Sequence, residues 1–171
     1  MTHPLVNQLR FARNEFRRGL EGVGIEDARQ RLLPMNCIAW NVGHLAWQEQ
    51  RYWLTGAQGK TLLPELNDAF RYGAAASTPD LEKTWAAWRG VTEAADSWLD
   101  EVTTGVLQQQ VLVDGKPIGY TFGSLLLRTT YHYWYHTGEN QAMRQMLGHT
   151  GLLDFVGDID TEAPYTPEPN D

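Results

Sequence analysis

Two of the five histidines in the 171-residue chain, His132 and His136, lie four residues apart in Tyr131-His132-Tyr133-Trp134-Tyr135-His136-Thr137-Gly138-Glu139-Asn140. The run from Thr121 to Leu147 around them reads as helix. At ~3.6 residues per turn that spacing stacks both imidazoles on one face, with Cβ atoms roughly 5–6 Å apart. Two neutral imidazoles so placed can ligate one divalent cation, but two ligands make a weak site. His44 is the obvious third. It sits at the centre of another helical run, with Cys37, Trp40, Asn41, Trp47, Gln48 and Arg51 on its face. Singly, each histidine reads as a hydrogen-bonded core residue. Three on two central helices read as a metal site with one position open, suited to zinc and equally to nickel, iron or manganese. Arg128 and Glu139 fall about one turn from the pair and, with Asn41 and Gln48, are candidates to orient an imidazole through its second nitrogen.

Four helices must hold these groups. Pro4 opens the first, whose apolar positions are Leu5, Leu9, Ala12 and Phe16 and whose polar face carries Arg10, Arg13, Glu15 and Arg17. A short extra turn is expected within residues 25–32. Asn36 is a suitable cap for the second helix, expected from Cys37 to Leu54 and apolar nearly all round, as a helix in the middle of a bundle is. Residues 55–78 form a long connection whose Phe70 and Tyr72 could fold back over one end of the bundle. Thr78 as cap, Pro79 at the first helical position and Asp80 as early acid start a third helix running to about Val102, and Thr121 caps a fourth that ends near Gly148. Between these last two, Asp114-Gly115 signals a hairpin, kept peripheral by Pro117. Gly138 inside a helix points to a close helix crossing. The expected fold is therefore an all-α four-helix bundle over residues 1–150, followed by an acidic, proline-containing tail at 151–171 that lies on the surface or is partly disordered.

Composition excludes several functions. Net charge is −7, and the 14 basic residues are scattered apart from Arg17-Arg18, so neither nucleic acid nor an anionic membrane is an expected partner. No apolar run approaches the ~20 residues of a membrane span, and the start carries no secretory pattern. One cysteine, Cys37, allows no internal disulfide and is expected to be buried and inert; the location expected is cytoplasmic. Nucleophile-elbow, phosphate-loop and dinucleotide signatures are absent. Trp40, Trp47 and Trp134 read as core, with one or two at a pocket mouth. His3 and His149 read as capping or solvent groups.

Trp40-Asn41-Val42-Gly43-His44-Leu45 resembles the first half of the DinB-like (DNA-damage-inducible) signature. His132 to Asn140, followed by Met143-Arg144-Gln145-Met146-Leu147-Gly148, resembles the second half, and the likeness extends from about Pro4 to Gly148. The resemblance implies an up-down-down-up four-helix bundle, often dimeric, with a divalent metal held by residues that map to His44, His132 and His136. The family includes S-transferases and isomerases that use low-molecular-weight thiols such as bacillithiol or mycothiol, and members described as metal-dependent hydrolases.

The chain offers no convincing nucleophile of its own, which fits a metal that activates an exogenous thiol or water. Thiol transfer to a small electrophile is the favoured reading and metal-assisted hydrolysis the runner-up. The rival outside enzymology is a dimeric, non-catalytic metal-binding module serving a stress response.

Overall fold

The computed structural model describes residues 2–113 and 115–167. In chain order its elements are α1 (Pro4–Gly19), α2 (Ile25–Arg29), α3 (Ile38–Glu49), α4 (Leu66–Phe70), α5 (Leu81–Leu99), α6 (Thr104–Leu107), β1 (Gln110–Val113), β2 (Lys116–Thr121), α7 (Phe122–Met146) and α8 (Ile159–Glu162). A π-helical stretch, Gln50–Gly56, continues α3. The all-α expectation holds, with one two-stranded antiparallel ribbon added.

Every residue of α3 is buried, as its all-round apolar pattern requires. It packs on α5 and α7, while α1 packs on α7. The centre is aromatic: Trp53 is fully buried and stacks on Trp98 at 5.7 Å, and Phe16 meets Tyr133 edge-on at 5.6 Å. Through this apolar interior runs one polar network. Arg13 on α1 donates from Nε and Nη2 to the two carboxylate oxygens of Glu49 on α3, at 2.7 and 2.6 Å. Tyr133 on α7 donates to Glu49 at 2.8 Å and accepts from Trp88 Nε1 on α5 at 2.7 Å. Four helices are thus tied by groups that burial would otherwise penalise. Burial, and then the Glu49 charge, push the Tyr133 hydroxyl well above its ordinary pKa, so it stays protonated and able to donate.

Several local expectations are corrected. Arg13 and Glu15 do not face solvent; both are buried, Arg13 against Glu49 and Glu15 against Arg18 and the backbone N–H of Gly157. A helix that faces a neighbour on one side and the C-terminal segment on another keeps little free polar face. The N-cap of α3 is Cys37, without a side-chain cap, and not Asn36. That of α5 is Asp80, whose carboxylate accepts from Lys83 N at 2.9 Å, and not Thr78. The second helix does not stop at Leu54. The chain passes into the π stretch at Gln50, whose buried side chain reaches the connection, accepting from Leu62 N and Leu63 N and donating to Leu63 O. A π turn re-aims the residues that follow it.

Other expectations stand. Thr121 caps α7, accepting from Ser124 N at 3.2 Å, and Gly148, at φ +81°, follows its C-terminus. The ribbon is peripheral, with Lys116 to Tyr120 exposed. Asp114 of its turn signal lies outside the described residues. Residues 151–162 are exposed or half-buried, and Ala163 is buried; the segment is held against the helices. Arg18 donates to Asp154 O at 2.9 Å, Gln8 to Ala163 O at 2.7 Å, and the Phe155 ring packs against Trp134 at 6.5 Å.

Candidate metal centre

α3 and α7 bring His44, His132 and His136 together, with one ligand atom from each within 4.8 Å of the others. Ring centroids are 5.0 Å apart for His44–His132, 5.4 Å for His44–His136 and 4.5 Å for His132–His136. The i, i+4 spacing on α7 accounts for the last of these. The first two depend on α3 packing against α7. His44 and His136 are buried, and His132 is half-buried.

Each anchored ring is fixed through one nitrogen. His44 Nδ1 lies 2.6 Å from the carbonyl oxygen of Phe70, which can only accept, so Nδ1 carries the proton and Nε2 keeps its lone pair. Trp40 and Trp47 both stack on the same ring, at 4.8 and 5.3 Å, and hold its plane. His136 Nδ1 lies 2.7 Å from Glu139 Oε2, so it too donates and leaves Nε2 bare. That carboxylate is steadied by Asn41, whose Nδ2 donates to Glu139 Oε2 at 2.9 Å and to Asn140 Oδ1 at 2.8 Å.

His132 is the unanchored member. Its Nε2 faces His136 Nε2 at 2.9 Å, and its buried Nδ1 has no hydrogen-bond partner among the described residues. Burial, and then the neighbouring histidines, lower its pKa to about 3. Burial likewise takes His44 to about 4, against the opposing hydrogen bond to Phe70. Both rings are therefore neutral at pH 7, the form that ligates. Facing nitrogens, two locked tautomers and an orphaned buried atom fit a shared divalent cation bound at ~2.0–2.1 Å per nitrogen. They fit a purely hydrogen-bonded cluster poorly.

A model of the DinB superfamily matches residues 8–139. The chain belongs to the DinB superfamily. No curated protein matches it. The matched span of this DinB-superfamily chain contains all three histidines and Glu139.

The four candidate orienting residues separate. Glu139 and Asn41 touch the cluster directly or through one another. Gln48 is buried beyond His44, and its Oε1 has no partner among the described residues. Arg128 is corrected: its guanidinium lies 5.0 Å over the Tyr120 ring and lines a different cavity. Gly138 is corrected too, because a Cβ there would meet nothing within 4 Å, and no close crossing occurs. The glycine that admits a neighbour is Gly43, where a Cβ would overlap the Phe70 ring, with ring carbons at 2.6 Å. Cys37 is buried, its thiol donating to Ser77 O at 3.5 Å, and burial pushes its pKa up. His3 caps α1 by accepting from Leu5 N, and His149 bridges Arg144 and Asp27.

The three histidines line a cleft of ≈ 520 Å³ together with Trp40, Tyr72, Tyr135 and Asn36. Sequence reasoning missed the Phe70 carbonyl, because a backbone oxygen carries no residue signal. It also missed Glu49, although a carboxylate in a helix buried on every side calls for a buried cation.

Proposed function

We propose that this DinB-superfamily protein binds a divalent metal through His44, His132 and His136 and promotes transfer of a low-molecular-weight thiol to a small electrophile. The four long helices would form the family's up-down-down-up bundle. The observation that carries the reading is the pair of locked tautomers: Phe70 O and Glu139 Oε2 hold both Nδ1 protons, leaving two Nε2 lone pairs beside His132.

A divalent ion with three protein ligands and an open position lowers the pKa of a thiol or water brought to it. The chain's own residues supply the rest. Trp40 and Trp47 keep the His44 ring in plane, and Asn41 holds Glu139 against His136. Glu139, which also lines the cleft, is the acceptor for the proton a thiol gives up. Among the described residues the cleft wall contains no cysteine, serine or threonine, which supports a nucleophile brought by a second substrate. The same open position would serve hydrolysis.

Leu127, Tyr131 and Tyr135 form a stripe on α7, 38%, 65% and 68% exposed, which supports a homodimer. No helix among the described residues is long and apolar enough to cross a membrane.

Metal analysis of tag-free protein tests the first step. A screen with bacillithiol or mycothiol and an electrophile, with and without chelator, tests the second. Thiol loss that requires both electrophile and metal supports transfer. Product formed without thiol gives hydrolysis, and a chelator-sensitive melting temperature with no turnover gives a non-catalytic module. Protein free of metal at all concentrations tried overturns the reading.

A further inference from the structure

A second cavity, ≈ 470 Å³, lies between the π stretch, the ribbon and α7. Arg51 and Arg128 both line it. Arg51 is seven residues after His44 and Arg128 four before His132, so α3 with its π extension and α7 each carry an arginine beyond their histidines. Apart from Thr55 and Gly56, the remaining wall is aromatic and aliphatic, including Tyr52, Tyr120, Ile118 and Leu125.

The two guanidiniums are held by rings and not by anions. Arg128 lies 5.0 Å over Tyr120, and Arg51 lies 5.5 Å over Trp47 and 5.8 Å over Tyr52. Among the described residues neither has a carboxylate or hydrogen-bond partner. Arg10, Arg13, Arg17 and Arg18, by contrast, are each paired with carboxylates. Stacking on an aromatic face leaves the N–H donors of a guanidinium free, in the fork that matches a carboxylate or sulfonate. Two cations lining one cavity favour an anionic occupant over a neutral one.

We infer that this cavity binds a small organic anion with an apolar body, the anionic group between Arg51 and Arg128 and the body against Tyr120, Ile118 and Leu125. Arg51 is also a wall of a groove with Trp47 and Tyr72, and Tyr72 is a wall of the histidine cleft. The anion site therefore adjoins the histidines through shared residues. Its binding does not depend on a metal.

The test is titration of the full-length protein with 1-naphthalenesulfonate, and with neutral 1-naphthol as the matched control. Arg51→Gln, Arg128→Gln and Arg128→Lys are compared with wild type, and thermal melts check that each folds. The sulfonate is expected to saturate one site on wild type. Either glutamine variant should weaken it about tenfold or more, the loss of a charge-assisted hydrogen bond. Arg128→Lys should recover part of the loss, and 1-naphthol should bind weakly and alike to all. His132→Ala should leave sulfonate binding unchanged, which separates this site from failure of the metal reading. Absence of saturable sulfonate binding overturns the inference. So does an affinity unchanged in both glutamine variants, or 1-naphthol binding as tightly as the sulfonate.

Discussion

His44 Nδ1 and the carbonyl oxygen of Phe70 lie 2.6 Å apart across 26 residues of chain. The contact makes the connection after α3 part of the candidate metal centre, because the backbone of α4 selects the tautomer of an imidazole on α3. It is possible only because residue 43 has no side chain, so the Phe70 ring can lie on the helix at that point.

Gly43→Ala is accordingly expected to displace Phe70, free the His44 ring and weaken metal binding roughly 10–100-fold, the range for loss of an outer hydrogen-bond partner. Overpacking should also lower stability by about 1–3 kcal/mol, less the gain in helix propensity. Gly138→Ala is the control. Exposed, helical and with nothing within 4 Å of its added Cβ, it should raise stability by about 0.5–1 kcal/mol. Metal titration and urea unfolding of both variants check the pair. A Gly43→Ala protein with wild-type affinity would break the link from Phe70 to His44.

Glu139→Ala removes the acceptor of the His136 Nδ1 proton and leaves Asn41 Nδ2 with only Asn140. Metal affinity should fall about 10–100-fold. Glu139→Gln keeps an acceptor oxygen without the charge and should fall between this variant and wild type. Competition titration against a chromogenic chelator reads the order.

Glu49→Ala strips a buried guanidinium of its carboxylate and Tyr133 of its acceptor. Breaking such a pair from one side costs about 3–5 kcal/mol. Asp96, which also accepts from Arg13 at 2.7 Å, keeps the loss toward the lower end. Chemical denaturation should show a lower midpoint with an unchanged slope. A loss under about 1 kcal/mol would mean that the network contributes little.

The C-terminal segment should respond to acid. Burial pushes the Glu15 carboxyl up, but the Arg18 side chain and the Gly157 N–H outweigh it and hold it below the ordinary 4.5. A folded pKa below the unfolded one gives stabilisation that is complete above the unfolded value and is lost as pH falls through the folded value. Glu15→Gln should therefore be about 1–2 kcal/mol less stable than wild type at pH 7. The gap should close as pH is lowered through the folded pKa. Urea midpoints measured over that range decide it, and a gap independent of pH would rule out the charge.

The three histidines, their placement on the second and last long helices and the Thr121 cap were legible in the residues alone, because helical periodicity and capping are local properties of the chain. Neighbours four apart on one helix, such as His132 and His136, share a face whatever the rest of the molecule does. Tertiary packing decided the remainder. Arg13 looks like a surface residue on α1 and becomes a buried partner of Glu49 only when α1 and α3 meet. Arg128 has the right helical offset from His132 yet turns to Tyr120, because the ribbon supplies a ring for its guanidinium. Gly138 and Gly43 are alike as helical glycines, and only the fold of the connection sets Phe70 over one of them. A candidate metal site was readable as a set of residue types, whereas the proton position that leaves the His44 Nε2 lone pair free depends on a backbone carbonyl brought from elsewhere in the chain.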